Sequence, residues 1–283
     1  MAEAYALHEG EFGTAVVLEL RANLLAHAHS EAQIAFWLGG ARGTARVGSQ
    51  LVEYGENVAL GVNPFQAHDF AMQEGSHGAA VFLAFMVRQE WLQQRAAAAN
   101  RAFRFAFPRI HIDAALRRTC WQVLDLILSA KSPPSHIDDQ VEKLLEAAID
   151  AAPEGGPKQT TGIRASLDYR LRLVIEHMRA HVSDKATIDE IAGKVGLSRA
   201  HLFALFRDQL STTPQVFWSA VRVEEAMRRV GNGAPLTDVA MDLGFSAPSN
   251  FSRFFKEHTG VSPSIFRRAL RGHAPTTVTG VPR

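Results

Sequence analysis

Two groups of residues carry side chains and spacings that could do chemistry. The first is His27-Ala28-His29, then Gln33, with His68 further on. Residues two apart in a strand share a face, so His27 and His29 point the same way. With His68 on a facing strand, three imidazoles could converge on a transition metal. Gln33 completes such a set poorly, because a neutral amide is a weaker ligand for a cation than a carboxylate. Otherwise these groups offer hydrogen bonds to a polar or anionic organic molecule, with Phe36 and Trp37 as rings to stack on it. The second group is Ser246, Ser249, Asn250, Ser252, Arg253 and Lys256, largely off an apolar stripe of Phe251, Phe254 and Phe255. A helix with one apolar face and one short-polar, basic face is what a major groove requires of a reading helix.

The second group is positioned by a helix, a turn and a helix. Val239, Ala240 and Leu243 have helical spacing, and Gly244 supplies the turn. The pattern occurs once before. Ile188, Ile191, Ala192, Gly196 and Leu197 match Leu236, Val239, Ala240, Gly244 and Phe245 at a constant offset of 48. Leu202, Phe206, Arg207, Pro214 and Phe217 match Phe251, Phe255, Lys256, Pro263 and Phe266 at an offset of 49. Two such units in one chain suit two successive groove segments about 34 Å apart. Thr187 and Glu190 form a capping box, and Thr213 before Pro214 opens the connecting helix. In the first unit Arg199, His201 and Arg207 are within reach of phosphates.

The histidines sit in a stretch of short apolar runs separated by glycine-rich breaks. Residues 15–20, 33–38, 50–54 and 79–85 read as strands, which argues for a sandwich or small barrel. Two amphipathic helices follow at 112–128 and 137–149, with Ser135 as the expected N-cap of the second. Their apolar stripes must be buried, either on the β domain or against a second copy of the chain. Residues 150–162 lack apolar periodicity and read as a linker.

The overall charge of +1 hides an asymmetry: residues 1–157 carry −6 and residues 158–283 carry +7. One basic, polyanion-facing module and one acidic module are the natural reading. Cys120 is the single cysteine, which suits a reducing cytosol. The N-terminus lacks the pattern of a signal peptide, and the apolar run 79–87 is too short to span a bilayer.

The tandem arrangement resembles the AraC/XylS family of transcription regulators. The resemblance rests on Ile188, Ile191, Ala192, Gly196, Ser198, Leu202, Phe206, Arg207, Pro214, Arg222, Ala226, Gly244, Phe245, Asn250, Phe251, Ser252, Arg253, Phe255, Lys256, Gly260, Ser262, Pro263 and Arg267. The stretch with His27, His29, Gln33 and Gly40, then Gly55, Pro64 and His68, resembles the two cupin signatures, although a metal-binding cupin usually has Glu where Gln33 stands. These resemblances imply an α+β protein of two domains: a cupin-like β-barrel with two helices for effector binding and dimerisation over 1–152, a linker over 153–163, a DNA-binding domain over 164–271, and a disordered tail over 272–283. They imply contacts to DNA from Ser198, Arg199, Ala200, His201, Phe203, Ala204 and Arg207, and from Ser246, Ser249, Asn250, Ser252, Arg253 and Lys256. Ala200, Phe203 and Ala204 stand where the family touches bases, and none of them donates a hydrogen bond, so the first reader either recognises little sequence or prefers T-rich steps through thymine methyls. The effector pocket is expected among His27, His29, Gln33, Phe36, Trp37 and His68. The implied partners are double-stranded promoter DNA, a small-molecule effector, RNA polymerase and a second copy of the chain in a cytoplasmic homodimeric activator, with no membrane, cofactor or catalytic role. The alternative is a metal-dependent cupin enzyme or metal sensor fused to a DNA-binding domain, with His27, His29 and His68 as ligands.

Overall fold

The computed structural model of the protein describes residues 2–98, 105–129, 132–153, 168–183, 186–210 and 212–270. The expected linker, all but Pro153, and the expected tail lie outside them. The N-terminal half is an antiparallel β domain. Strands β1 (Ala2–Gly10), β2 (Gly13–Leu20), β4 (Ala32–Gly40), β7 (Val58–Val62), β9 (Ala80–Val87) and β10 (Arg109–His111) form a six-stranded sheet in the order β1-β2-β9-β4-β7-β10. Strands β3 (Leu24–His27), β5 (Gly43–Val47), β6 (Gln50–Glu53) and β8 (His68–Met72) form a four-stranded sheet in the order β3-β8-β5-β6. The two sheets share a buried core, with Ala35, Leu60, Phe82 and Ala84 from the first and Ala45, Val47, Val52 and Phe70 from the second. The expected strand-rich N-terminal domain is thus present. β1 pairs with β2 through a bulge between Ala4 and Ala6. That interruption of the two-residue period is why its sequence shows no clean alternation.

The other face of the six-stranded sheet is covered by helices. After α1 (Gln89–Ala98), helices α2 (Ala114–Ser129) and α3 (Pro134–Asp150) bury Leu116, Cys120, Val123, Leu124 and Ile127, and Ile137, Val141, Leu144, Leu145 and Ala148, with Phe12, Ile34, Phe36 and Phe85 of the sheet. The apolar stripes that suggested a dimer interface are therefore buried within one chain. α3 opens on Pro133 and Pro134 without a side-chain cap, so Ser135 lies inside its first turn instead of capping it. Cys120 is buried in this core, and burial pushes its thiol up to about 12.

The C-terminal half is helical: α4 (Tyr169–Ala180), α5 (Ile188–Lys194), α6 (Arg199–Leu210), α7 (Pro214–Gly231), α8 (Leu236–Asp242), α9 (Pro248–Thr259) and α10 (Pro263–Leu270). The capping box of Thr187 and Glu190 opens α5, and Thr213 caps α7 with Pro214 in its first turn. Gly196 and Gly244 hold the two turns at φ of +68° and +75°, a backbone state that a Cβ makes costly. This half docks on the β domain at several places, with α7 and α9 against β3 among them. α10 lies against β1, with Phe266 and Val261 in the same buried cluster as Ala4 and Leu20. Phe65, in the turn before β8, is buried with Leu171, Val174, Phe206 and Phe217 of the helical half, 4.4 Å from the Phe217 ring centre to centre.

Leu144→Ala tests whether the α2–α3 stripes serve the core. The side chain is fully buried, so its truncation is expected to cost about 2–5 kcal/mol. Urea unfolding of the N-terminal domain reads this loss, and concentration-dependent dissociation without a loss of stability would contradict it.

Candidate functional site

The helix pairs α5–α6 and α8–α9 form two helix-turn-helix units. α6 buries Leu202 and Phe206, and α9 buries Phe251 and Phe255, so each second helix turns its opposite face to solvent. Among the expected contact residues, Ser198, Arg199, Ala200, His201, Arg207, Ser246, Ser249, Arg253 and Lys256 are exposed. Phe203, Ala204, Asn250 and Ser252 are half-buried. The two faces differ in what they offer. In the first, the Ser198 hydroxyl accepts from the His201 amide at 3.2 Å, so it closes the start of α6. Arg199 donates to Asp189 at 2.8 Å and lies 5.1 Å above the Phe203 ring, which is packed on the core of this unit. In the second, Asn250 donates to Ser246 at 2.8 Å and accepts from Arg253 at 3.5 Å, forming a polar chain along the exposed side of α9.

Several arginines of the basic half are tied up in the structure. Arg222 lies 4.7 Å above Phe245 and 5.7 Å above Phe254 and donates to the Leu243 carbonyl, so it holds α7 to the second turn. Arg267 donates to the carbonyls of Val230 and Ala234. Arg228 and Arg229 clamp Glu225 and hold its carboxyl down to about 2. Arg253 and Lys256, by contrast, stand exposed on α9.

The β domain brings His27, His29 and His68 together. His27 faces His68 in the β3–β8 register, and the ring centres are 4.3 Å apart for that pair, 4.9 Å for His27–His29 and 5.1 Å for His29–His68. One ligand atom of each lies within 4.8 Å of the others. All three are buried. Burial and mutual repulsion hold His27 and His29 well below the usual histidine value, and burial lowers His68 to about 4, so all three are neutral near pH 7. Nδ1 of His27 donates to the Leu25 carbonyl at 2.7 Å, and Nδ1 of His68 to the Gln66 carbonyl at 3.0 Å. Those bonds leave Nε2 as the acceptor on each ring.

The histidines and Gln33 line a cavity of about 60 Å³ between the sheets. It is far smaller than the expected organic effector requires, and it has room for a few waters or an ion. Phe36 does not line it. Alternation along β4 sends Gln33, Ala35 and Trp37 to one face and Ile34 and Phe36 to the other, where Phe36 packs beneath α2 and α3. Trp37 shares Gln33's face, but it lies beyond the cavity and donates to the Ala41 carbonyl at 3.1 Å. Two residues that sequence reasoning left out belong to the site. His258 of α9 lines the same cavity and closes it from the helical half. Phe65 is tied to it by its amide, which donates to the His29 carbonyl at 2.6 Å. A histidine two residues beyond Lys256 and an aromatic residue after Pro64 were the available signals. A larger cleft of about 280 Å³ shares Leu20 and Leu24 with the cavity and is faced by Arg253 and Lys256.

An antiparallel β domain is thus joined to a helical domain with two helix-turn-helix units. Residues 191–269 match a helix-turn-helix domain family. The chain is 27% identical over 115 residues to the raffinose operon transcriptional regulatory protein RafR of Pediococcus pentosaceus, covering 40% of this chain and 42% of that one. It is 32% identical over 162 residues to the transcriptional regulator CdhR of Pseudomonas aeruginosa, covering 56% and 48%. The chain spans about half the length of the curated relatives it matches. Its fold is similar over 96% of its length to ToxT from Vibrio cholerae O395, with 98% of that chain covered, a TM-score of 0.56 and 10% identity. Over its helical half the chain is thus similar to helix-turn-helix transcription regulators, as the resemblance to the AraC/XylS family implies. Among the described residues no helix is long and apolar enough to cross a membrane.

Arg253→Ala separates a reading role from a structural one. The side chain is exposed, so its loss is expected to leave thermal unfolding unchanged while weakening duplex binding by about 1–3 kcal/mol. Calorimetry and a binding titration measure both, and unchanged affinity would remove α9 from the interface.

Proposed function

We propose that this chain is an effector-responsive transcription regulator that reads promoter DNA through α6 and α9 and senses through its β domain. The observation that carries the reading is the pair of solvent-facing second helices on a helical half that is itself docked on a sensor-like β domain. Arg253 and Asn250 suit base edges, while Ala200, Ala204 and Phe203 suit thymine methyls, so the second unit supplies most of the sequence discrimination. Arg207 and Lys256 suit phosphates.

The β domain is cupin-like in this reading, with its two sheets forming the barrel walls. The family points to a cytoplasmic activator that works with RNA polymerase. Dimerisation, where it occurs, uses surfaces other than the buried stripes of α2 and α3. The cavity around His27, His29, Gln33 and His68 is the sensing site, and its occupant acts by favouring one docking of the two halves over another. A second site suits an organic acid: the 280 Å³ cleft places Arg253 and Lys256 opposite Leu20, Leu24 and Leu25. The similar fold of ToxT from Vibrio cholerae strain SCE256 has been crystallised with an unsaturated fatty acid. An anion in the cleft of this chain would occupy the same two cations that face DNA.

The DNA-reading part is tested with a fragment starting near Ile163. It is expected to bind duplex DNA with an affinity that falls steeply with salt, at a log–log slope of about −0.9 per phosphate neutralised. A fragment that binds no duplex at low salt would sink the reading.

A further inference from the structure

We infer that His27, His29 and His68 bind one divalent transition-metal ion, and that the loaded site clasps the β domain onto both helix-turn-helix units, through Phe65 on one side and His258 on the other. The inference rests on the reading of this cavity as the sensing site. Its first support is a set of lone pairs without partners. Nε2 of His29, Nε2 of His68 and Oε1 of Gln33 are buried and accept no hydrogen bond. A buried polar atom without a partner is costly, and three around one small cavity call for an occupant that satisfies them together.

The ring orientations fit a cation. The Leu25 and Gln66 carbonyls take the Nδ1 protons of His27 and His68, which is the outer-shell arrangement that aims Nε2 at a metal. The ligand atoms, now within 4.8 Å of one another, would need to close to about 3–3.5 Å around bonds of about 2.0–2.1 Å, a side-chain adjustment. Three imidazoles and an amide, without thiolate or carboxylate, select zinc, nickel, cobalt or iron over calcium, magnesium or copper(I). The absence of a carboxylate from this set leaves the ion's charge uncompensated. The wild-type site should therefore bind reversibly, as a sensor must.

Position makes the site a clasp. The His29 carbonyl holds the Phe65 amide, and Phe65 stands at φ +60°, a strained state for a side chain of its size. Its ring is seated in the core of the first helix-turn-helix unit, against Phe217 and beneath Arg179. His68 lies three residues further on, at the start of β8. On the other side His258, from the helix that carries Arg253 and Lys256, faces the cavity with Nδ1 committed to the Phe254 carbonyl at 2.8 Å. An ion that fixes His29 and His68 would thus fix the Phe65 turn, and His258 of the second reading helix lines the same cavity.

The test uses the full chain, stripped with chelator and titrated with cobalt(II) or zinc(II) alone. The expected result is one ion per chain, with imidazole-type cobalt absorption bands, and at least a 30-fold loss of affinity in His29→Ala and in His68→Gln. The near-isosteric His68→Gln guards against a folding failure, which circular dichroism would detect. Metal loading should change affinity about tenfold for a duplex selected from a random pool by the metal-free chain. His258→Ala should keep metal affinity within about threefold and lose that change. No uptake by the wild type overturns the inference, and so does uptake confined to Gln33→Glu, which would mark a ligand geometry tuned away from metal. Uptake with no change in DNA affinity overturns the clasp. If neither form selects a duplex, the regulator reading itself fails, and the metal titration stands apart from it.

Discussion

Both faces of the six-stranded sheet are apolar, and the rest of the molecule is arranged to keep water from them. On one face, Ala15, Val17, Ile34, Phe36 and Phe85 are roofed by α2 and α3. On the other, Ala35, Leu60, Phe82 and Ala84 meet the four-stranded sheet. At the β1 end the cover is α10 of the DNA-binding half, with Phe266 and Ile265 in the cluster that holds Ala4, Leu7 and Leu18. At about 25 cal/mol per Å² of apolar surface removed from water, this contact contributes to the folding of the whole chain. The helical half is thus one of the walls of the β domain. Any movement of the helical half off the sheet must offset the exposure of that wall, which sets a threshold for such a movement.

The helical half was largely legible in the sequence. Its order comes from local chemistry: the capping box at Thr187, the Thr213–Pro214 start, the glycines at the two turns and the phenylalanines at helical spacing. Each signal acts within a few residues of where it is written. The β domain was legible only where alternation is clean, as in β2 and β4. The bulge hid β1, and the strand expected to carry both His27 and His29 ends at His27, so His29 lies past it and reaches the same cavity from the following loop. Phe36 was placed with Gln33 by proximity in sequence, and the two-residue period puts it on the opposite face.

What the sequence withheld was docking. A half-apolar helix does not say which surface will cover it, so the stripes of α2 and α3 fitted a second subunit as well as their own sheet. Phe65 and His258 acquire their roles only because distant segments meet. The basic charge of the C-terminal half was similarly ambiguous. Arg222 and Arg267 are bolts within the fold, and Arg228 and Arg229 are bound to Glu225, so the charge that faces solvent near α9 is smaller than the count suggests.

Cys120 lies under α2, in the core on the side of the sheet away from the reader, and it is the chain's single cysteine. In the closed protein it is both inaccessible and protonated, so a thiol reagent can react only when this core opens. The molecule therefore carries its own clock. The rate at which the native protein loses its thiol to excess reagent reports how often the helix roof lifts, without any introduced label. Because the other face of the sheet is where the reader sits, the same rate, compared between free and DNA-bound protein, shows whether events on one side of the sheet reach the other.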